Sequence, residues 1–428
     1  RSRVLERDNV LVLGWSQQVF PVVAQLAEAG AGRGRTAIVV LAERERVEME
    51  TALRERVQVP RRVRVVCRSG RPTSPSDLRI ANPDAARAVV VLRPASGAPD
   101  PEVLKPIPAL TGRPDRRPEP YRIVAEVRDR PSADIARLIA GDEVRLLLAD
   151  ELVARIVAQS CRQSGLSAVY LDLLDFAGHE FHLVRFTELD GLTFADAALR
   201  VRGAIAVGIA GVTGTRLCPP GDTPLGPDDR LVVLAEHRDA ARLVREPAEG
   251  TADAIAISPA SSTAPERVLI IGWNELAPSV VRELDAYVAP GSELVAVSGR
   301  APVEAGIAAL GELANLRLTA RADATTSRSV LDDLDVPSFD HVIVLCEDGE
   351  GDPERADART ILTLLHLRDI GARAARRFSI LSEMLDERNR ELAEVTRADD
   401  FVVSSRMLSL LLAQIAETPE LADVFGEL

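Results

Sequence analysis

The stretch Asn9-Val10-Leu11-Val12-Leu13-Gly14-Trp15-Ser16 constrains this chain most, because it occurs twice. It returns as Arg267-Val268-Leu269-Ile270-Ile271-Gly272-Trp273-Asn274, with Gly14 and Gly272 standing 258 residues apart. Each copy is a short apolar run closed by Gly-Trp and followed by a helical pattern. That is the signature of the first buried strand and first turn of a parallel α/β domain. The separation is far beyond the period of a solenoid repeat, so it implies two whole domains of one design. Further landmarks recur in the same order. Ala88-Val89-Val90-Val91-Leu92 answers to His341-Val342-Ile343-Val344-Leu345, and Val124-Ala125-Glu126-Val127 to Leu381-Ser382-Glu383-Met384. Ala149-Asp150-Glu151-Leu152-Val153 answers to Ser404-Ser405-Arg406-Met407-Leu408.

In the first half, predicted strands at 9–13, 36–42, 62–67, 88–92, 121–127 and 144–148 alternate with helical patterns at 17–29, 45–56, 75–80 and 132–140. β-branched runs alternating with amphipathic helices predict a doubly wound parallel sheet. The stretch 93–120 is rich in proline and lacks a clear helical period, so a loop is expected there. A helix over 150–164 is expected to cross to another part of the molecule. Short strands punctuated by Gly, Pro and Asp follow, at 182–185, 205–210, 215–218 and 231–235. The expected division is a first α/β lobe over 1–165, a small α+β unit over 166–245, a linker over 246–265 and a second α/β lobe over 266–428. That second lobe ends in an apolar helix over 405–417, and the tail 419–428 is too short for a second α+β unit.

The chain has 428 residues, 46% of them hydrophobic and 27% charged, as in ordinary globular proteins. Its net charge of −13 argues against nucleic acid as the main partner. Cys67, Cys161, Cys218 and Cys346 form no CxxC pair, and three lie in apolar or strand-like runs, as buried thiols in a reducing compartment do. No run of 18 apolar residues occurs, so this stretch does not span a bilayer. It opens on Arg1-Ser2-Arg3 rather than Met, which leaves room for a membrane segment upstream.

Ligands of such sheets bind at the carboxyl ends of the strands, so the turn at Gly14 is the default site. A GxGxxG fingerprint would let a pyrophosphate approach the backbone and a helix N-terminus. Here the turn is Gly14-Trp15-Ser16-Gln17-Gln18-Val19, with neither later glycine and with Trp15 crowding the place of a dinucleotide. Glu43, ending the second strand, stands where a ribose-binding acid would. The residues expected to converge on the two clefts are Gly14, Trp15, Ser16, Glu43, Arg68 and Glu126 in the first copy. In the second they are Gly272, Trp273, Asn274, Ser298, Arg321 and Glu383. Arg68 and Arg321 either hold a phosphate, as of ATP, ADP or NAD, or pair with the glutamates. Glu347, Asp348, Glu350, Asp352, Glu354 and Asp357 follow the fourth strand of the second copy, loosened by Gly349 and Gly351. Such a cluster suits a hard cation such as Ca²⁺, although the spacing is not an EF-hand and carboxylates also favour a helix N-terminus. His179 and His182 are spaced for opposite faces of a strand and read as ordinary polar positions. No Ser-His-Asp or Cys-His set calls for catalysis.

Several longer motifs carry a resemblance. They are the Gly-Trp-Ser turn, Val40-Leu41-Ala42-Glu43-Arg44 with Glu48-Met49-Glu50, and Cys67-Arg68-Ser69-Gly70. Leu284-Asp285-Ala286-Tyr287-Val288-Ala289-Pro290-Gly291-Ser292-Glu293-Leu294 and Leu367-Arg368-Asp369-Ile370 complete the set. Together they resemble the cytosolic part of the Castor/Pollux ion channels, along nearly the whole chain. The resemblance implies two Rossmann-like RCK (regulator of potassium conductance) lobes, the first followed by its small α+β subdomain. It further implies a tetramer, hence a ring of eight lobes on the cytoplasmic face of the membrane, beneath a cation-selective pore, with calcium as a gating ion. In such lobes the helices 150–164 and 405–417 pair neighbouring lobes. Segment 93–120 departs from the family, which carries an acidic Ala-Arg helix there; Ala356-Asp357-Ala358-Arg359 keeps it in the second copy. The expected function is thus a ligand-sensing, non-enzymatic module of a potassium-type channel. The alternatives are a stand-alone Trk-type nucleotide-binding subunit of a potassium transporter, or an NAD-dependent oxidoreductase.

Overall fold

The computed structural model describes residues 3–31, 36–94, 100–128, 130–212, 214–247, 264–300, 302–347 and 352–428. The repeated apolar run becomes β1 (Asn9–Leu13), buried along its whole length. It is followed by α1 (Val19–Ala31), β2 (Thr36–Ala42), α2 (Arg46–Arg56), β3 (Val63–Ser69), α3 (Pro75–Ala81) and β4 (Ala86–Val91). Next come α4 (Asp100–Leu104), α5 (Pro106–Thr111), β5 (Ile123–Val127), α6 (Arg130–Ala140) and β6 (Val144–Leu148). The six strands form one sheet in the order β3-β2-β1-β4-β5-β6, every pairing parallel. Alternate residues of β1 serve the two faces: Val10 and Val12 enter one core, Leu11 and Leu13 the other.

Segment 93–120 is not simply a loop. It holds α4 and α5, and Val103, Ile107 and Leu110 are buried at helical spacing. Pro106 and Pro108 interrupt the pattern that would have shown this in the sequence, yet Pro106 stands in the first turn of α5, where a missing N–H costs nothing. Beyond them Arg116 and Arg117 stack on the buried Tyr121 ring at 4.8 and 4.7 Å.

After β6 come α7 (Ala149–Arg162), α8 (Leu166–Leu174), β7 (Glu180–Val184), α9 (Phe194–Arg200), β8 (Val201–Arg202), β9 (Ile205–Gly211), β10 (Gly214–Leu217), β11 (Arg230–Ala235) and β12 (Arg242–Leu243). They build a four-stranded antiparallel sheet, β10-β9-β11-β7, beside the pair β12-β8. Thr193 and Asp196 close a reciprocal capping box on α9.

The second half repeats the first: β13 (Arg267–Ile271), α10 (Ala277–Tyr287), β14 (Ser292–Val297), α11 (Val303–Ala308), β15 (Leu316–Arg321) and α12 (Arg328–Asp333). Then follow β16 (His341–Val344), α13 (Pro353–Arg373), β17 (Ser379–Met384), α14 (Arg390–Glu394), β18 (Asp400–Val403), α15 (Ser404–Glu417) and α16 (Leu421–Glu427). Its parallel order, β15-β14-β13-β16-β17-β18, is that of the first sheet.

The two halves exchange their last helices. α7 leaves the first sheet and packs on α10 and on β16, β17 and β18, while α15 crosses back onto α1, β4 and β5. One core therefore runs through both lobes, containing Val10, Val157, Ile270 and Leu412 alike. α15 is buried continuously from Met407 to Glu417, as a helix apolar all round requires. Polar ties secure the crossing. Glu417 receives Arg87 of β4 at 2.5 Å. Asp400 at the start of β18 accepts the Gly165 and Ser167 N–H groups at 3.1 Å, and so caps α8 from the other lobe. Replacing Leu412, which is fully buried, by Ala is expected to lower stability by about 2–5 kcal/mol. Chemical denaturation should show one shifted transition, because both lobes share the core that is cut.

Candidate functional site

Both sheets reverse strand order between their first and fourth strands, which opens a crevice at the carboxyl ends there. In the first lobe Gly14 makes the turn after β1 with φ +104°, and a Cβ there would stand 3.1 Å from the Leu92 carbonyl oxygen. That conformation and that closeness both call for glycine. Trp15 stacks edge-on against Phe20 at 5.7 Å, and the Arg44 guanidinium covers its ring at 5.4 Å. Ser16 is buried and its Oγ has no hydrogen-bond partner among the described residues; the Gln18 Oε1 is likewise buried and unpartnered among them.

Glu126 lies inside β5 and is 4% exposed. It accepts Gln18 Nε2 at 2.7 Å and Arg93 Nε at 3.0 Å. Arg93 also reaches Asp100 at 2.6 Å, and the second Asp100 oxygen accepts the Arg128 N–H at 2.9 Å. The internal Arg–Glu pair expected in this cleft thus exists, but its arginine is Arg93. Arg68 sits in β3 and donates to its neighbour's carbonyl, Cys67, at 2.8 Å. Glu43 stands on the surface, 3.9 Å from Arg71. Gln18, Arg93 and Asp100 are the members that sequence reasoning missed. Arg93 follows β4 closely, beside the switch in strand order, and that position was its available signal. Asp150, at the start of α7, joins the same group of charges. Burial first, then the charges of Glu126 and Asp100, push it up to about 6 against the pull of Arg128 and Arg93.

The second lobe uses the same backbone with different chemistry. Gly272 turns at φ +90°, and a Cβ there would fall 2.2 Å from the Leu345 carbonyl oxygen. Trp273 is buried against Gly306. Asn274 donates to Glu383 at 2.8 Å and to the Cys346 carbonyl at 3.0 Å, while its Oδ1 accepts the Leu276 and Ala277 N–H groups at the start of α10. Glu383 also accepts the Ser404 hydroxyl at 3.1 Å and the Cys346 N–H at 3.2 Å. Complete burial raises its carboxyl above the ordinary range against these bonds. Arg321 pairs with Asp323 at 2.8 Å, two residues away, rather than with Glu383. Ser298 and Thr325 both donate to Glu347, and about 10 Å³ of free space remains beside them.

The acidic stretch after β16 divides. Asp348 and Glu350 lie outside the described residues. Asp352 caps α13 through the Glu354 and Arg355 N–H groups, and Glu354 is exposed in its first turn. Asp357 is no part of a loop: it is fully buried on α13 and accepts the Leu385 N–H at 2.9 Å, the Asp386 N–H at 3.0 Å and Asn389 Nδ2 at 2.8 Å. Those bonds occupy the lone pairs that a cation would need. Among the described residues no three metal-ligating side chains converge. None of their helices is long and apolar enough to cross a membrane.

Residues 150–249 match the family model described as "Castor and Pollux, part of voltage-gated ion channel". The whole chain aligns with the probable ion channel CASTOR of Oryza sativa subsp. japonica, 31% identical over 471 residues, and with the ion channel POLLUX of Lotus japonicus, 30% identical over 471 residues. It spans about half of these relatives, 52% and 51% of their lengths. In fold it is similar to the human SLO3 gating ring, with a TM-score of 0.66 and 13% identity, over 97% of this chain and 83% of that one. It is also similar to the GsuK channel bound to NAD, with a TM-score of 0.51 and 16% identity, over 98% of this chain and 65% of that one. GsuK bound to ADP gives a TM-score of 0.51 at 13% identity, over 97% of this chain and 70% of that one. A repeated parallel lobe, a small antiparallel unit after the first copy and likeness to half the length of these channels agree: along its whole length the chain is similar to the Castor/Pollux channels, and its fold is that of tandem RCK lobes.

Proposed function

We propose that this chain is the ligand-sensing module of a Castor/Pollux-type, potassium-type cation channel, on the cytoplasmic face of the membrane. The functional parts are a first lobe over 1–165, a small unit over 166–245, a linker over 246–265 and a second lobe over 266–428. Four copies form a ring of eight lobes beneath a pore supplied by a further segment. The observation that carries this reading is the likeness, along this whole chain, to about half the length of ion channels, together with the exchanged helices. A pair of lobes sharing one core moves as a unit, so a ligand that prefers one ring geometry can pull on a pore. The reading assigns the chain no catalysis.

The first cleft is the sensor in this reading. Ser16 Oγ and Gln18 Oε1 are buried beside the turn with their hydrogen-bonding capacity unmet. An entering nucleotide phosphate would also compete with Glu126 and Asp100 for Arg93. NAD or ADP, the ligands of the GsuK structures, are the nucleotides proposed. The second cleft, filled by its own side chains, holds the lobe in shape. Calcium is the second proposed ligand, at residues 347–352, which Glu347 and Asp352 flank. The full-length protein containing this chain, reconstituted in planar bilayers, is expected to carry a cation current whose open probability changes with nucleotide on the side of this chain. Arg93→Gln should abolish that response. A current indifferent to nucleotides and to calcium, or no current, would sink the reading.

Assembly has a surface to use. On α6, Ile135, Leu138 and Ile139 are 51, 87 and 41% exposed at helical spacing, and on α14 Leu392 is 62% exposed. Leu138→Glu is expected to shift the chain toward monomer in analytical ultracentrifugation, with an unchanged melting curve.

The raised carboxyl of Asp150 gives a pH signature. Its stabilising contribution is complete below the unfolded value of about 4 and is lost as pH rises through about 6. Asp150→Asn should therefore melt higher than the parent at pH 7.5 and lose that advantage by pH 4.

A further inference from the structure

A cavity of about 240 Å³ opens where three parts of the fold meet. Arg122, just before β5, lines it from the first lobe; His182 of β7, Arg230 and Arg238 line it from the small unit; Glu417 and Glu420 line it from the segment joining α15 to α16. The carboxylates are already matched. Glu417 is held by Arg87 at 2.5 Å, and Glu420 by Arg230 at 3.3 Å. Arg122 lies within Coulombic reach of Glu420, yet among the described residues neither the Arg122 nor the Arg238 guanidinium has a hydrogen bond or ion pair. Two guanidinium charges are thus left over at one cavity.

The third element is His182. Its Nε2 is buried without a partner among the described residues, while the ring is hydrogen-bonded to the Ala235 carbonyl. A ring that donates through Nδ1 to a carbonyl and stays neutral presents a lone pair at Nε2. Burial, the largest influence on this ring, favours the neutral form. The cavity is therefore lined by two positive forks for oxyanions and by a histidine whose buried acceptor asks for an O–H.

We propose that this cavity binds a hydrogen phosphate group, its anionic oxygens taken by Arg122 and Arg238 and its remaining P–OH donated to His182 Nε2. Guanidinium forks fit phosphate oxygens in this way. The dianion matches the two unneutralised charges. The space exceeds one phosphate, since a water takes about 30 Å³, so a small phosphomonoester in its singly protonated form offers the same P–OH and oxyanions with one charge fewer. Bound there, the ligand would fasten the small unit to both lobes, whatever the nucleotide cleft does.

Sulfate provides the discriminating probe, because it has the same shape and charge but no O–H at neutral pH. Isothermal titration of the 428-residue chain at pH 7.5 and fixed ionic strength is expected to show saturable binding of inorganic phosphate, about tenfold or more tighter than sulfate. Arg122→Gln combined with Arg238→Gln should weaken phosphate about a hundredfold. His182→Phe should erase the preference over sulfate. Both guanidinium groups are exposed and unpaired among the described residues, so the double variant is expected to melt as the parent does without phosphate. Equal affinity for the two anions, unchanged binding by the double variant, or no saturable binding would overturn the proposal. So would capture by phosphatidic acid vesicles without binding of free phosphate, which would move the ligand to a lipid headgroup.

Discussion

The reciprocal burial of α7 and α15 is the constraint on which the rest of this structure depends. A doubly wound sheet needs cover on both faces, and each lobe supplies one cover too few for itself. The missing cover comes from the other lobe's last helix, so neither sheet is complete alone. This explains why α15 tolerates apolar residues around its whole circumference, and why its end carries the buried Glu417 to a half-buried arginine on β4. An ion pair in such a place adds little net stability, but removing one partner strands a buried charge. It therefore fixes where α15 stops.

On this shared frame the two clefts have diverged. Glu126 and Glu383 occupy corresponding strands, and both are buried. Glu126 is matched to the Arg93 cation, whereas Glu383 relies on Asn274, Ser404 and one backbone N–H. A cation lets a carboxylate stay ionised in a poor solvent, while neutral donors resist desolvation only in part. The first cleft is an arrangement of charges that an anion can reorganise. The second is a hydrogen-bonded plug.

Much of the architecture was legible because parallel strands buried on both faces read as unbroken apolar runs, and because the chain states the design twice. The first strand and the departure of the helix over 150–164 followed from that, whereas the pairing of the helix over 405–417 came from the resemblance. What was hidden has physical causes. Prolines broke the apolar spacing of Val103, Ile107 and Leu110, so α4 and α5 read as a loop. Arg321 found Asp323 two residues away, a local partner that a search for a strand-end convergence overlooks. Asp357 read as a loop acid because acids surround it, although it shares a helix face with Thr360 and Leu364, both buried, and that pattern marked it as interior. Arg93 was adjacent to a strand already identified, but the proline-rich stretch after it drew attention away from the switch point.

The exchanged helices also bear on how the chain comes off the ribosome. Residues of β5, near position 125, wait for a helix that begins at position 404. Until that helix is made, the part of the first sheet over β4 and β5 that α1 leaves uncovered has no permanent lid, and closing so distant a contact is slow. An apolar sheet face left open through the synthesis of an entire second lobe is a place for aggregation or for a holding chaperone. The same covering that makes the two lobes one body thus makes the first of them the last to be finished.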